Sequence, residues 1–375
     1  MLLFVFGTRP EAIKLCPLIR ELRAREELAV RICVTAQHRG MLDQVLDAFE
    51  ITPDYDLNVM RPDQTLSGLT ARILEALEPV LAEVPPSMVI VQGDTTTTLA
   101  AALAAFYHRI PSAHVEAGLR TGDPGHPFPE EMNRVLTGRL AELHFAPTPR
   151  AAANLVAEGV PQSRIHVTGN TGIDAVLYVR DALEAGTLPA AEWSCLEPTR
   201  RLIVVTGHRR ENFGGAFARQ MRALARLAAR PDVQLVYPVH RNPNVLGPAH
   251  ELLGGCANIH LMEPLPYVPF VDLLRRAYFI ITDSGGIQEE APSLGKPVLV
   301  MREKTERPEA VEAGTVKLVG TDEERIVAEA TRLLDDPAEY ARMTRVHNPY
   351  GDGQASRRIG EILGERLATR NEFCP

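Results

Sequence analysis

Short apolar runs alternate with longer amphipathic stretches along most of this chain. In the first half the runs are Leu2–Phe6, Val30–Thr35, Met88–Gln92, Ser112–Val115, His144–Ala146 and Ile165–Thr168. In the second half they are Leu202–Thr206, Val233–Val239, Asn258–Met262, Tyr278–Thr282, Pro297–Met301 and Thr315–Leu318. Runs this short, apolar at consecutive positions, suit strands of a parallel sheet buried on both faces. Between them, stretches such as Ala12–Arg25 and Leu66–Leu81 carry the helical period and would supply right-handed crossovers. Six strands per half predict an α/β chain of two doubly wound, Rossmann-like domains with a cleft between them. The expected boundaries are 1–170 for the first domain and 171–353 for the second. A C-terminal helix, 354–375, follows the turn-rich Asn348-Pro-Tyr-Gly-Asp-Gly353 and is expected to pack back on the first domain. The irregular stretch Ala185–Thr199, which holds the only tryptophan, Trp193, precedes the second domain's first strand.

Composition narrows the class. At 375 residues, 45% hydrophobic, the chain is long enough for two or three globular domains at about 150 residues each. A net charge of −8 argues against a nucleic-acid or anionic-membrane binder while permitting a local basic pocket. No apolar run approaches the roughly 18 residues of a membrane span. The N-terminus reads as a strand rather than a secretion leader, so a cytoplasmic location is expected. Five scattered cysteines, never spaced C-x-x-C, suggest neither a disulfide framework nor a zinc site. No carboxylate pair or histidine cluster has metal-ligand spacing, so neither a metal nor a cofactor is expected.

In open parallel sheets ligands sit beyond the carboxyl ends of the strands, so the residues following each run carry the chemistry. After the first run comes Gly7-Thr-Arg-Pro-Glu-Ala-Ile-Lys14, a turn into a helix start flanked by Arg9 and Lys14, which suits an anion. A capped turn with solvated charges would look the same. After the third run, Gln92-Gly-Asp94-Thr-Thr-Thr-Thr98 offers a carboxylate and a row of hydroxyls, readable either as helix capping or as groups facing the cleft. After the fourth, Glu116 ends a buried strand, a costly place for a carboxylate unless it is paired, for example by Arg120, or functional. Glu130 and Glu131 open the next helix, where acidic residues also suit the helix dipole. Three carboxylates from separate strand ends, Asp94, Glu116 and Glu130, look like acid/base machinery.

The second half supplies donors instead. Thr206-Gly-His208-Arg209-Arg210-Glu-Asn212 and Pro238-Val-His240-Arg241-Asn242 each place a histidine beside arginine after a strand. Thr282-Asp-Ser284-Gly285-Gly286-Ile-Gln-Glu289-Glu290 offers bare backbone N–H groups to a diphosphate, with Glu290 placed for ribose hydroxyls. Arg307 starts a further helix near the same place. There is neither G-x-G-x-x-G after a strand nor a G-x-x-x-x-G-K-[ST] phosphate loop. Acids in one half and phosphate donors in the other suggest a nucleotide-linked substrate that reacts on its non-nucleotide part.

Together these segments closely resemble the non-hydrolysing UDP-N-acetylglucosamine 2-epimerases, whose fold is GT-B-like. Thr35-Ala-Gln-His-Arg39, Val115-Glu-Ala-Gly-Leu-Arg-Thr-Gly122, Thr168-Gly-Asn-Thr-Gly172 and Thr305-Glu-Arg-Pro-Glu309 add to the match, which spans nearly the whole chain in order. The resemblance implies reversible conversion of UDP-GlcNAc to UDP-ManNAc. The C2 proton has no adjacent carbonyl to acidify it, so the family is thought to eliminate UDP to a 2-acetamidoglucal and add it back. On this resemblance Asp94, Glu116, Glu130 and His208 are catalytic candidates. Arg9, Lys14, Phe270, Ser284, Gly285, Gly286, Glu290 and Arg307 would contact the UDP-sugar, with Phe270 beside uracil or simply in the core. A regulatory UDP-GlcNAc site would use Gln37, Gln64, Arg209, Arg210 and His240, although Gly40 and Asp63 stand where the family pattern has a glutamine and an arginine. A homodimer and a product feeding envelope polysaccharide are further implications. The alternatives are a hydrolysing relative that releases ManNAc and UDP, a GT-B glycosyltransferase, and a non-enzymatic sugar-nucleotide sensor, which would have no need of the three acids.

Overall fold

The computed structural model describes residues 1–25, 28–35, 39–61, 63–83, 85–345 and 347–372. The chain divides into two compact units, one of residues 1–175 together with 351–375, the other of residues 176–350.

The first unit is built on a seven-stranded sheet in the order β3-β2-β1-β4-β5-β6-β7, with every pair parallel. Its strands are β1 (Leu2–Phe6), β2 (Val30–Val34), β3 (Tyr55–Asp56), β4 (Met88–Gln92), β5 (Ser112–Val115), β6 (Leu143–Ala146) and β7 (Ile165–Val167). Six of these coincide with the apolar runs of the sequence. The seventh, β3, is an edge strand of two residues paired to Cys33 and Val34, too short to leave a periodic signal. All five residues of β1 and of β4 are buried, as expected for central strands covered on both faces. Helix Thr96–Tyr107 buries Ala100, Ala101, Ala102, Ala104 and Ala105. These small side chains let it lie close on the sheet, which explains an alanine-rich run that is not a membrane segment. Among the described residues no helix is long and apolar enough to cross a membrane.

Helix Ala355–Glu372 belongs to this first unit and packs on helix Arg9–Arg23. Arg358 donates to Thr168 O, Arg366 pairs with Glu142 at 2.8 Å, and Asp174 accepts from Ser356 N at 2.7 Å.

The second unit carries a six-stranded parallel sheet in the order β10-β9-β8-β11-β12-β13. Its strands are β8 (Arg201–Thr206), β9 (Val233–Pro238), β10 (Ile259–Met262), β11 (Phe279–Thr282), β12 (Val298–Val300) and β13 (Val316–Leu318). The core gathers Ile203, Val205, Leu235, Phe279, Ile281 and Leu299 from the sheet against Met221, Leu224 and Leu333 from helices. In both units the strand order reverses direction once, between β1 and β4 and between β8 and β11. Ligands of doubly wound sheets bind in the crevice at that switch point, beyond the carboxyl ends. Two such units form the architecture of the GT-B-like class.

Candidate active site

In the first unit the switch point is bordered by the residues after β1 and β4. Gly7 leaves β1 where a Cβ would stand 2.0 Å from Thr35 Oγ1, so only glycine fits. Thr8 then caps helix Arg9–Arg23 with a full capping box: Thr8 Oγ1 accepts from Glu11 N, and Glu11 Oε2 accepts from Thr8 N at 2.7 Å. Glu11 is buried and also accepts from Gly7 N and from the hydroxyl of Thr95. The Arg9 turn and the Asp94 turn are thereby fixed to each other through one carboxylate.

This settles the threonine row. Thr95 caps its helix, Thr97 bonds Thr35 at 3.0 Å, and Thr98 donates to Gln92 O at 2.6 Å. These hydroxyls satisfy backbone and side-chain partners at the helix start, so of the two readings the structural one describes those three.

Glu116 follows β5 with φ at +64°, a left-handed conformation that costs a non-glycine residue on the order of 1 kcal/mol or more and clusters at functional sites. It is buried, and it pairs not with Arg120 but with Lys14, whose Nζ lies 2.5 and 2.6 Å from the two carboxylate oxygens. Gln92 Nε2 and Asn170 Nδ2 donate to the same carboxylate. Arg120 instead makes a two-point pair with Glu158 at 2.7 and 2.9 Å. Lys14 is thus engaged by a carboxylate rather than left as a bare phosphate cation.

Asp94 Oδ2 accepts from Arg134 Nη2 at 2.6 Å and from Nε at 2.9 Å, while Asn133 Nδ2 donates to Asp94 O. Arg134 also reaches Glu131, which accepts from Thr121 N and Gly122 N and is buried. Of the two adjacent glutamates, Glu131 is the built-in one. Glu130 is half-buried at the first position of its helix. Sequence reasoning missed Gln92, Asn133, Arg134 and Asn170. Only Gln92, at a strand end beside Gly-Asp, and Asn170, inside Gly-Asn-Thr-Gly, carried any signal.

In the second unit Asp283, after β11, is buried and accepts through Oδ2 from His208 N at 2.9 Å and Arg209 N at 2.8 Å. It thereby ties down the loop after β8. The His208 ring stacks on His240 with centroids 5.4 Å apart. Burial pushes the His208 imidazole below its ordinary value, Asp283 opposes this, and Arg209 and His240 add to it.

Ser284 precedes the short helix Gly285–Glu290, and its side chain makes no capping bond. A Cβ on Gly285 would lie 3.1 Å from Glu306 Oε1 and 3.2 Å from Arg307 Cζ. Gly285 therefore lets an arginine lie against the backbone. Glu290 Oε1 lies 3.7 Å from where a Gly286 Cβ would be. Arg307 pairs with Glu289 at 2.8 Å and with Glu306 at 2.9 Å, and Arg302 pairs with Glu306 at 2.7 Å. Burial alone would raise the Glu306 carboxyl, but Arg307 and Arg302 hold it down at about 2. Glu289 faces Arg307, which leaves Glu290 as the one of the two glutamates placed for ribose. Phe270 is half-buried in helix Tyr267–Arg276, while Arg210 and His240 are exposed.

Gln37 lies outside the described residues, and Gln64 is bound to Arg72 and to Arg61 N. Asp63 is exposed in a left-handed turn at φ +50°.

A family profile described as UDP-N-acetylglucosamine 2-epimerase matches residues 20–364. The chain belongs to that family. A UDP-N-acetylglucosamine 2-epimerase of Escherichia coli O157:H7 is 60% identical over 366 residues, covering 96% of this chain and 97% of the relative. Among solved structures, the Neisseria meningitidis UDP-GlcNAc 2-epimerase bound to UDP-GlcNAc superposes with a TM-score of 0.90 at 48% identity, covering 97% of this chain and 99% of that one. The Methanocaldococcus jannaschii UDP-GlcNAc 2-epimerase in complex with UDP-GlcNAc and UDP gives 0.78 at 33% identity, with 97% and 99% covered. The switch point of the first unit carries carboxylates, and that of the second carries backbone N–H groups and arginine.

Proposed function

We propose that this chain interconverts UDP-GlcNAc and UDP-ManNAc by anti-parallel use of one bond-breaking step and its reverse: a base takes the C2 proton, the C1–O bond breaks to release UDP, and UDP returns to the 2-acetamidoglucal as a proton reaches the other face of C2. The observation that carries this reading is the carboxylate set at the first switch point. Asp94 has Oδ2 fully engaged by Arg134, which leaves Oδ1 as the atom able to exchange a proton. Glu116, held by Lys14, Gln92 and Asn170, is the second acid/base group in this reading. Glu130, half-buried at its helix start, is the third acid/base group in this reading.

In the second unit, Ser284, Gly285 and Gly286 receive the diphosphate, with Arg307 behind Gly285 and Glu290 on ribose. His208, after β8, donates to a phosphoryl or bridging oxygen. Arg9 completes the anion contacts and Phe270 flanks uracil. The glycal must not meet water while UDP is detached, and a hydrolysing enzyme would differ only there.

Regulation by a second UDP-GlcNAc through Gln37, Gln64, Arg209, Arg210 and His240 belongs to this reading, weakened by Asp63 in place of a cation. So does a homodimer. Its support is an apolar surface on two packed helices, where Phe106 and Tyr107 are 60% and 67% exposed and Met132 and Leu136 are 37% and 43% exposed. We place the reaction in the cytoplasm, with envelope polysaccharide as the consumer of the product.

Incubation with UDP-GlcNAc in D2O tests the reaction. Deuterium at C2 of both sugars together with UDP-ManNAc is the expected result. Free ManNAc would make the enzyme hydrolytic, and absence of exchange would remove the epimerase reading.

A further inference from the structure

The irregular stretch with the only tryptophan, which the reaction leaves unused, lines a second cavity. It is an open pocket of about 560 Å³ in the second unit, lined by Trp193, Leu196, Arg276, Tyr278, Lys296 and Tyr340 among others. Arg201 begins β8, Tyr278 directly precedes β11, and Lys296 lies just before β12. The pocket is therefore at the amino ends of the strands, a full strand length from His208 and Ser284 at about 3.3 Å per residue.

Its walls are aromatic. Tyr278 and Tyr340 stack with centroids 4.3 Å apart, and Arg201 lies 5.3 Å from the Tyr278 centroid. Trp193 is anchored by donating from Nε1 to buried Asp272 at 2.7 Å. The charges are unevenly matched. Arg201 pairs with Asp232, and Arg200 with Glu197 at 3.0 Å. Arg276 engages Asp272 through Nε alone. The Lys296 ammonium has no hydrogen-bond or ion-pair partner among the described residues, although the residue is half-buried. Burial pushes its ammonium below the ordinary lysine value with no carboxylate to oppose the shift. The chain has only four lysines, and of the other three, Lys14 and Lys317 are each paired with a glutamate. A desolvated cation without a counter-charge is costly, and an anion in the pocket would remove that cost.

We propose that this cavity is a second ligand site, distinct from the sugar-nucleotide site, that takes a small aromatic anion: a flat ring against Trp193, with its phosphate or carboxylate on Lys296 and the terminal nitrogens of Arg276. The wall chemistry sets both halves of the class, the ring through stacking and the anion through charge-assisted hydrogen bonds.

Trp193 reports on its own pocket, because it is the only tryptophan. Titration with phenyl phosphate is expected to change its fluorescence saturably, while inorganic phosphate and phenol at equal concentration do not. Lys296→Met should weaken the apparent Kd by roughly tenfold or more, the loss of one charge-assisted contact, and Lys296→Arg should hold it within a few-fold. No saturable change, or an unchanged Kd in Lys296→Met, overturns the site. Equal effects from inorganic phosphate overturn the aromatic half.

Should Lys296→Met fail to fold, the wild-type chain still decides. Pyridoxal 5′-phosphate condenses its aldehyde with a neutral amine, losing water, and borohydride reduces the imine to a stable secondary amine. Peptide mapping should find Lys296 labelled ahead of Lys304, and phenyl phosphate should protect it. Labelling no faster than Lys304, or without protection, removes the proposal.

Discussion

Lys14 Nζ lies 2.5 Å from one oxygen of Glu116 and 2.6 Å from the other, joining the first helix to the end of β5 across 102 residues of sequence. The pair is largely shielded from solvent, with side-chain exposures of 15% and 5%. Breaking a buried pair leaves an uncompensated charge and costs about 3–5 kcal/mol. Lys14→Met should therefore destabilise the fold by that order, and Glu116→Gln in the same chain should recover part of the loss. A double-mutant cycle by chemical denaturation checks this; additive single effects would show that the two groups do not interact energetically.

Asp94→Asn should fold, because Arg134 can still donate to the amide oxygen, yet should lose roughly 10²–10⁴-fold in kcat as the proton-exchanging oxygen is removed. Deuterium incorporation at C2 measures the same step without coupling assays. Near-normal exchange in both Asp94→Asn and Glu116→Gln would refute the acid/base assignment.

Gly285→Ala places a methyl 3.1 Å from Glu306 and 3.2 Å from Arg307. The guanidinium must shift, at a cost of about 1–3 kcal/mol for overpacking. The expected result is a raised KM for UDP-GlcNAc with a smaller change in kcat, and weaker UDP binding by calorimetry. An unchanged KM would separate Arg307 from substrate.

Two histidines make the fold acid-sensitive. Burial pushes His114 down to about 3 and His144 down to about 4, from an ordinary 6.5. Both must stay neutral when folded, and His114 Nε2 lies 2.7 Å from Gly93 O beside the Asp94 turn. Between 6.5 and these values the unfolded chain binds more protons, so stability rises with pH and is lost as pH falls through that window. Denaturation midpoints should drop from pH 7 towards pH 5, and the slope should be shallower in His114→Gln. A flat profile in the wild-type chain would contradict the buried neutral rings.

Leu136→Glu, on the exposed face of helix Glu130–Leu140, puts a charge in the apolar surface assigned to self-association. Light scattering after gel filtration should give a dimer for the wild-type chain and a monomer for the variant. A wild-type monomer would remove the dimer.

The sequence alone determined the strands and their contents. Burial on both faces of a parallel sheet demands consecutive apolar residues, and that demand is local and legible: β1, β4, β5, β8 and β11 all fall on runs visible in the chain. It also delivered the residues after those strands, since Gly7, Asp94, Glu116, His208 and Ser284 sit next to them in sequence. Which charges face each other was decided only by the tertiary structure. Arg120 went to Glu158 and Lys14 to Glu116, Glu131 rather than Glu130 became the buried partner of Arg134, and the threonines after Asp94 turned inward to Glu11, Thr35 and Gln92. Strand formation depends on neighbours within a few residues. An ion pair depends on which strand ends the crossovers bring side by side, and a carboxylate looks the same in sequence whatever cation it meets.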